Sequence, residues 1–96
     1  MSAPTNTTKR LQSVFSALGD ESRYKIIRLL GQTEQLCVSE VAAEVGISVA
    51  GVSQHMRVLE RAGLVRPRRN GQKMCYQISA DSPSINRIIK IIEEEK

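Results

Sequence analysis

Two helix-forming segments separated by one glycine constrain the fold of this chain more than any other feature. Residues 39–45 and 48–62 each begin with a serine, a residue type that favours a helix N-cap, and Gly46 between them suits the left-handed backbone that ends a helix. In the second segment, at 100° per residue, apolar side chains fall on one side and polar or basic ones opposite. The pattern predicts a helix-turn-helix whose second helix buries one face.

Other helices are predicted on both sides of this pair. An apolar stripe runs through residues 11–18 and ends at Gly19, and Asp20 then caps a more apolar helix that extends to Leu30. A last helix opens at Pro83 or Ser84 and carries isoleucines at helical spacing. We expect residues 1–8 to be a flexible lead-in, residues 9–92 a single domain, and residues 93–96 a frayed acidic tail.

A β-hairpin is predicted between the helix pair and the last helix. Residues 64–69 and 73–78 flank a turn at Asn70, Gly71 and Gln72, and Pro67 suits an edge strand. A short strand at residues 36–38 is expected to pair with the second hairpin strand. The predicted class is mainly α with a small β-hairpin, a winged helix-turn-helix with the order α-α-(β)-α-α-β-β-α.

Positive charge is concentrated around the hairpin. The chain carries +4, but residues 57–73 contain six basic residues and one acid, a local +5, which leaves about −1 for the rest. Such a concentration favours a polyanionic partner. Only three residues are aromatic, so no stacking platform for unpaired bases is evident, and double-stranded DNA is the predicted partner.

Length and composition exclude several classes. Ninety-six residues suffice for one domain, and no apolar window is long enough to span a membrane. The N-terminus lacks the apolar core of a signal peptide, which predicts a cytoplasmic protein without a membrane partner. One histidine, no evident carboxylate pair and no glycine-rich phosphate loop argue against an enzyme.

The central stretch also resembles a known family. Residues 36–42 read LCVSEVA and residues 46–65 read GISVAGVSQHMRVLERAGLV, which look like the ArsR (SmtB) family of bacterial winged-helix repressors. Residues 18–23, LGDESR, resemble the start of that family's second helix. The resemblance implies a homodimer built on the first and last helices, bound to a palindromic operator and released by an inducer.

Candidate DNA contacts follow from the resemblance and from side-chain chemistry. Gln54 can pair with adenine, and Arg57 with guanine or a phosphate, whereas serines offer single hydrogen bonds. His55 is expected to be half-buried, bonded to backbone or phosphate, and only close to DNA. The predicted DNA-contacting residues are Ser48, Ser53, Gln54, His55, Arg57, Arg61, Arg68, Arg69 and Lys73.

Two apolar stripes on the terminal helices have two interpretations. They either close the core of one chain or form a dimer interface, and the excess of isoleucine near the C-terminus favours the interface. The predicted interface residues are Leu11, Val14, Phe15, Leu18, Ile85, Ile88, Ile89 and Ile92.

Neither a metal nor another cofactor is expected. The family's thiolate site resembles a Cys-x-Cys pair, but here Ser39 follows Cys37 at the second place, and residues 84–92 contain no histidine or acid for the family's other site. Strand alternation predicts that Cys37 and Cys75 point away from the core on one sheet face. They are either unrelated small packing residues or a redox- or sulfur-responsive pair.

The leading functional hypothesis is therefore a dimeric, sequence-specific DNA-binding regulator that acts as a repressor. Two alternatives stay open: a winged-helix module used for protein contacts, and a thiol-based redox-responsive repressor using Cys37 and Cys75. Basic residues on both the helix and the hairpin argue against the protein-contact module.

Overall fold

A computed structural model describes residues 6–79 and 82–95 and confirms the predicted fold class. The elements in chain order are α1 (Asn6–Leu18), α2 (Glu21–Leu30), β1 (Leu36–Cys37), α3 (Val38–Val45), α4 (Val49–Arg61), β2 (Val65–Asn70), β3 (Lys73–Ile78) and α5 (Pro83–Glu94). Helices α3 and α4 form the helix-turn-helix, and β2 and β3 form the wing.

One apolar cluster holds the helices and the sheet together. Helix α2 buries Ile26, Ile27 and Leu30, and α4 buries Val52, Met56 and Leu59 completely. Removing these side chains from water supplies the main driving force for the fold. The inner face of α4 predicted from periodicity is thus confirmed, and its opposite face is left in solvent.

The turn between α3 and α4 has the predicted chemistry. Gly46 adopts φ +81°, a left-handed conformation that strains residues with a side chain, and the hydroxyl of Ser48 accepts a hydrogen bond from the Gly51 N–H at 3.0 Å. The start of α3 differs from the prediction. Cys37 is the N-cap in place of Ser39, because the Glu40 carboxylate reaches back to the Cys37 N–H at 2.8 Å.

The three strands form an antiparallel sheet in the order β1–β3–β2. The predicted pairing of β1 with the second wing strand is confirmed, with Leu36 opposite Tyr76 and Cys37 opposite Cys75. Pro67 lies on the edge strand β2, and Gly71 turns the hairpin with φ +65°. The wing is therefore tied through β3 to the strand that leads into α3.

The ordered elements extend beyond the expected bounds of residues 9–92. Helix α1 already begins at Asn6, three residues inside the predicted flexible lead-in, while residues 1–5 lie outside the described residues. Helix α5 continues to Glu94, and Arg28 of α2 donates to the Glu95 carbonyl at 2.7 Å. The predicted fraying of residues 93–96 stays a prediction; residue 96 lies outside the described residues.

The apolar stripes of the terminal helices divide between core and surface. Val14, Ile85, Ile89 and Ile92 are buried within a single chain, so the structure assigns them to the first of the two interpretations. Leu11, Leu18 and Ile88 are half-buried, and Phe15 is 61% exposed. Ile91, which the sequence prediction left out, is 62% exposed. A single chain therefore exposes fewer of these apolar side chains to a partner than the sequence predicts.

Candidate nucleic-acid interface

Helix α4 presents a polar and basic face to solvent. Gln54, Arg57 and Arg61 are exposed along it, as is Ser48 at its N-terminus. Ser53 and His55 are half-buried on the flanks. The buried opposite face fixes the helix against the core, so these side chains project from a supported backbone. A recognition helix that reads base edges in a major groove needs this combination.

Ser48 has a structural task in addition to its predicted one. Its hydroxyl oxygen accepts from the Gly51 N–H, and a Cβ added to Gly51 would lie 3.1 Å from that oxygen. One lone pair of the oxygen is therefore engaged in capping α4, while the hydroxyl hydrogen stays available to donate to a phosphate or base.

The wing carries the second group of cations. Arg68, Arg69 and Lys73 are exposed near the hairpin turn. Arg66 differs from them: with the Gln77 amide oriented so that its oxygen faces the guanidinium, that oxygen accepts from Nε and Nη2 of Arg66, both at 2.8 Å. Arg66 is thus held along the sheet, while the three predicted cations are open to solvent.

The base of the wing packs against α4. Val65 and Tyr76 are buried there, and burial raises the pKa of the Tyr76 phenol, with the nearby Glu60 carboxylate adding to the increase. The phenol therefore stays protonated around neutral pH. Val65 begins β2 directly after α4, so the wing meets the recognition helix at this buried base.

Arg61 is the last residue of α4. It lines an open groove between α1 and α4 together with Lys9 and Ser13. The guanidinium of Arg10 packs over Gly63 directly after α4, where an added Cβ would be 3.1 Å from Nη2. Sequence reasoning missed Lys9 and Arg10 because they lie about 50 residues from Arg61 in the chain, and the packing of α1 on α4 alone brings them together.

A second set of contacts that the sequence prediction missed surrounds His55. Arg23 of α2 donates through Nε to the Ala17 carbonyl at 2.7 Å, and its Nη1 lies 3.3 Å from His55 Nδ1. The Arg23 N–H also donates to the Asp20 carboxylate at 3.0 Å, and this hydrogen bond lowers the pKa of Asp20, assisted by the Arg23 charge. His55 is half-buried as predicted, but its partner is a side chain.

The two cysteines face each other directly across β1 and β3 and form a disulfide. Their Cα atoms lie 3.6 Å apart. Both lie on one sheet face as predicted and outside the apolar core cluster, yet both are buried. Cys37 is 7% exposed and Cys75 is fully buried, because β3 is the central strand and the bond covers both sulfurs.

Within residues 6–79 and 82–95, no group of three or more histidine, cysteine or acidic side chains is placed to hold a metal ion. In the same part of the chain, no helix is both long enough and apolar enough to cross a membrane.

Comparison with known proteins identifies the same region. A family model described as "Helix-turn-helix domain" matches residues 18–68, from the end of α1 to the wing. An uncharacterized HTH-type transcriptional regulator of Methanocaldococcus jannaschii is 30% identical over 86 residues, which cover 90% of this chain and 94% of that protein. The arsenical resistance operon repressor of Escherichia coli K12 is 32% identical over 84% of this chain and 68% of its own length.

A solved structure supports the same assignment. The homodimeric winged helix-turn-helix DNA-binding domain of a possible ArsR-family regulator from Mycobacterium bovis, determined by solution NMR, is similar with a TM-score of 0.77. It is 25% identical over 97% of this chain and 87% of that one. The chain spans 50–62% of the length of several cadmium, arsenic and SmtB-type relatives that it also matches. The chain belongs to the ArsR family of winged helix-turn-helix transcriptional regulators.

Proposed function

We propose that this chain acts in the cytoplasm as a homodimeric transcriptional repressor that binds a two-fold symmetric operator in double-stranded DNA. The observation that carries the proposal is the exposed face of α4, with Gln54 and Arg57 beside a basic wing. The amide of Gln54 pairs with adenine and the guanidinium of Arg57 with guanine in the major groove. Arg68, Arg69 and Lys73 contact phosphates or the minor groove on either side.

The remaining predicted contacts supply positioning. Ser48 and Ser53 donate single hydrogen bonds near the N-terminal half of α4, and Arg61 reaches a phosphate from its far end. About two turns of helix separate Gln54 from Arg61, so both cannot enter the same short stretch of groove. Lys9 of α1 lines the same groove as Arg61 and adds a further positive charge there.

Footprinting of the duplex directly upstream of the protein's own coding region tests DNA binding. We expect protection of two half-sites whose centres are one helical turn apart, about 34 Å, or a multiple of it. Absence of any duplex affinity at low salt would reject the repressor and favour a winged helix that makes protein contacts.

The dimer is proposed to form on α1 and α5. Phe15 and Ile91 support this face because they are large apolar side chains left 61% and 62% exposed by a single chain. The half-buried Leu11, Leu18 and Ile88 flank them, whereas Val14, Ile85, Ile89 and Ile92 support the face from inside the core. Arg10 and Leu11 of α1 line one small cavity with Ser84 and Ile85 of α5, so the two helices approach each other there.

Sedimentation of charged variants tests the interface. Phe15→Glu and Ile91→Glu together should convert a dimer at tens of micromolar into a monomer and abolish operator binding, because one monomer reaches only one half-site. Gln12→Glu and Lys90→Glu place acids on exposed positions of the same helices and should leave the dimer intact. A monomeric wild type would contradict the proposal.

The disulfide favours a second, regulatory role for the same protein. We propose that Cys37 and Cys75 form a reversible redox switch, since structural disulfides are rare in a reducing cytosol. Cys37 is the N-cap of α3, and Cys75 lies in the wing strand β3. The bond therefore joins the start of the helix-turn-helix to the wing.

The oxidant proposed is a peroxide. The Cys37 thiolate attacks one peroxide oxygen, the O–O bond breaks, and the departing oxygen takes a proton to leave as water. The Cys75 thiol then displaces the hydroxyl from the Cys37 sulfenic acid as a second water, and the S–S bond forms. The two sulfurs lose two electrons, and the peroxide is reduced.

Oxidation is expected to release the operator, because it fixes the wing to α3 and limits adjustment of the wing to DNA. Mass spectrometry of peroxide-treated protein, paired with operator titration, tests this. The mass of the wild type should fall by two hydrogens and its affinity for the operator should drop, and dithiothreitol should reverse both changes. Cys37→Ser and Cys75→Ser should keep their affinity for the operator after peroxide. Two free thiols after peroxide, or equal affinity of the oxidised and reduced protein, would reject the switch.

A further inference from the structure

Arg23 connects three helices directly behind the proposed DNA-binding face. Its Nε donates to the Ala17 carbonyl in α1, its backbone N–H donates to Asp20 at the start of α2, and its Nη1 contacts His55 Nδ1 on α4. Two hydrogen bonds fix Arg23 at the corner between α1 and α2. Its backbone N–H lies 3.0 Å from the Asp20 carboxylate, and its Nε lies 2.7 Å from the Ala17 carbonyl oxygen. The guanidinium therefore reaches the recognition helix from a supported position.

The contact with Arg23 determines where the proton of the His55 ring lies. A guanidinium stays protonated and has only N–H donors, so His55 Nδ1 must accept with its lone pair. A ring that accepts at Nδ1 is neutral and carries its proton on Nε2. Arg23 thus selects one of the two neutral tautomers, because a proton on Nδ1 would point at another N–H donor.

The opposite ring nitrogen is free to act on a ligand. His55 Nε2 has no hydrogen-bond partner among the described residues, and no side-chain nitrogen or oxygen there is both buried and unpaired. Nε2 is therefore open to solvent. His55 follows Gln54 and lies one turn after Gly51, on the flank of α4 that borders the exposed face. A side chain on this flank lies next to the face that we propose enters the groove.

We propose that Arg23 is a positioning residue for operator binding, which holds His55 as the Nε2–H tautomer so that Nε2–H donates to a DNA backbone phosphate. This inference rests on the proposed function for its DNA partner. The tautomer itself is a property of the free protein. The donor is neutral, so it neutralises no phosphate charge and releases no counterion, unlike the cations of the wing.

Nuclear magnetic resonance of the free protein tests the tautomer. The chain has a single histidine, so the long-range ¹H–¹⁵N spectrum of ¹⁵N-histidine-labelled protein contains one ring. At pH 8 the wild type should show protonated Nε2 and unprotonated Nδ1, without exchange between tautomers. Arg23→Met keeps the length of the side chain but has no donor, and its ring should show the averaged signals of a free imidazole.

Two results would overturn the tautomer assignment. A wild-type ring protonated at Nδ1 would contradict it, as would an unchanged spectrum in a folded Arg23→Met variant, with folding checked by far-ultraviolet circular dichroism. The wild-type spectrum needs no variant, so the test stands even if Arg23→Met fails to fold. Arg23→Lys, which keeps a cationic donor, should preserve more of the wild-type signal.

Titration of duplex DNA across a salt series tests the phosphate contact. The probes are the upstream duplex and a random-sequence duplex, because a phosphate contact acts on both. His55→Asn keeps an acceptor near Nδ1 but loses the distal donor, and it should weaken binding to both by about tenfold with an unchanged salt slope. His55→Gln carries an N–H at about the Nε2 position and should recover part of the loss.

The outcomes separate this inference from the proposed function. Wild-type affinity in His55→Asn would reject the phosphate contact, and a salt slope reduced by about one charge would mean that the ring binds as a cation, which contradicts the proposed neutral donor. If the wild type binds neither duplex, the proposed function fails and the phosphate contact fails with it, but the spectrum of the free protein still decides the role of Arg23.

Discussion

The recognition helix and the wing both present cations to solvent, but they are supported differently. Helix α4 has Val52, Met56 and Leu59 completely buried on its inner face, whereas β2 buries Val65 and is exposed from Arg66 to Asn70. A side chain on α4 therefore projects from a backbone fixed by packing, and one on the wing from a hairpin fixed chiefly by its strand pairing. The first arrangement suits base readout, which needs precise placement, and the second suits phosphate contacts.

The largest expected effect breaks the support of α4. Met56→Ala should lower the free energy of unfolding by about 2 to 5 kcal/mol, because it leaves a cavity in the core beneath the recognition helix. Arg69→Ala on the wing should change it by less than about 0.5 kcal/mol. Urea denaturation measures both. Equal losses of unfolding free energy would mean that the wing contributes as much to stability as α4, which would contradict the difference in support described above.

The next effect concerns base readout. Arg57→Ala and Gln54→Ala should each weaken operator binding by about 1 to 3 kcal/mol while binding to random-sequence duplex changes less, because each removes a base-edge partner. Competition titrations with the two duplexes give the specificity ratio. A uniform loss on both duplexes would move these residues from base readout to the phosphate backbone.

A smaller and different effect is expected on the wing. Arg68→Ala or Lys73→Ala should weaken binding to all DNA sequences alike. Each should also reduce the slope of log affinity against log salt concentration by about 0.9 per lost phosphate contact. A salt series on operator and random duplexes measures this. Arg66→Ala is the matched control, since Gln77 already engages that guanidinium. If Arg66→Ala reduces the salt slope equally, the total charge of the wing determines DNA binding and the position of each cation does not.

The smallest effect tests how α4 is linked to the helical body through Asp20 and Arg23. The folded protein lowers the pKa of Asp20, so the carboxylate stabilises the fold above its ordinary value of 3.8, and this contribution is lost as pH falls through the lowered value. Asp20→Asn keeps an N-cap but does not titrate. Between pH 7 and 3, urea denaturation should show a steeper loss for the wild type; parallel curves would contradict the cause given for the shift.

Local sequence chemistry was sufficient for most of the helix-turn-helix. Apolar periodicity located the inner face of α4, and Gly46 and Ser48 marked the turn and the cap, because these features depend on residues close together in the chain. The start of α3 was misplaced at Ser39 because the competing cap, Glu40 bonded back to Cys37, uses a side chain that the N-cap preference of serine does not take into account.

The sequence by itself determined the order of elements, the basic wing and the exposed residues of α4, because periodicity and charge depend on residues close together in the chain. Only the tertiary structure decided which apolar residues are buried within one chain. Val14 and Ile92 pack into the core, while Phe15 and Ile91 are exposed. It also decided the partner of His55, an arginine 32 residues away. Such contacts depend on how helices pack against one another, and helical spacing within one segment carries no information about the segment that it meets.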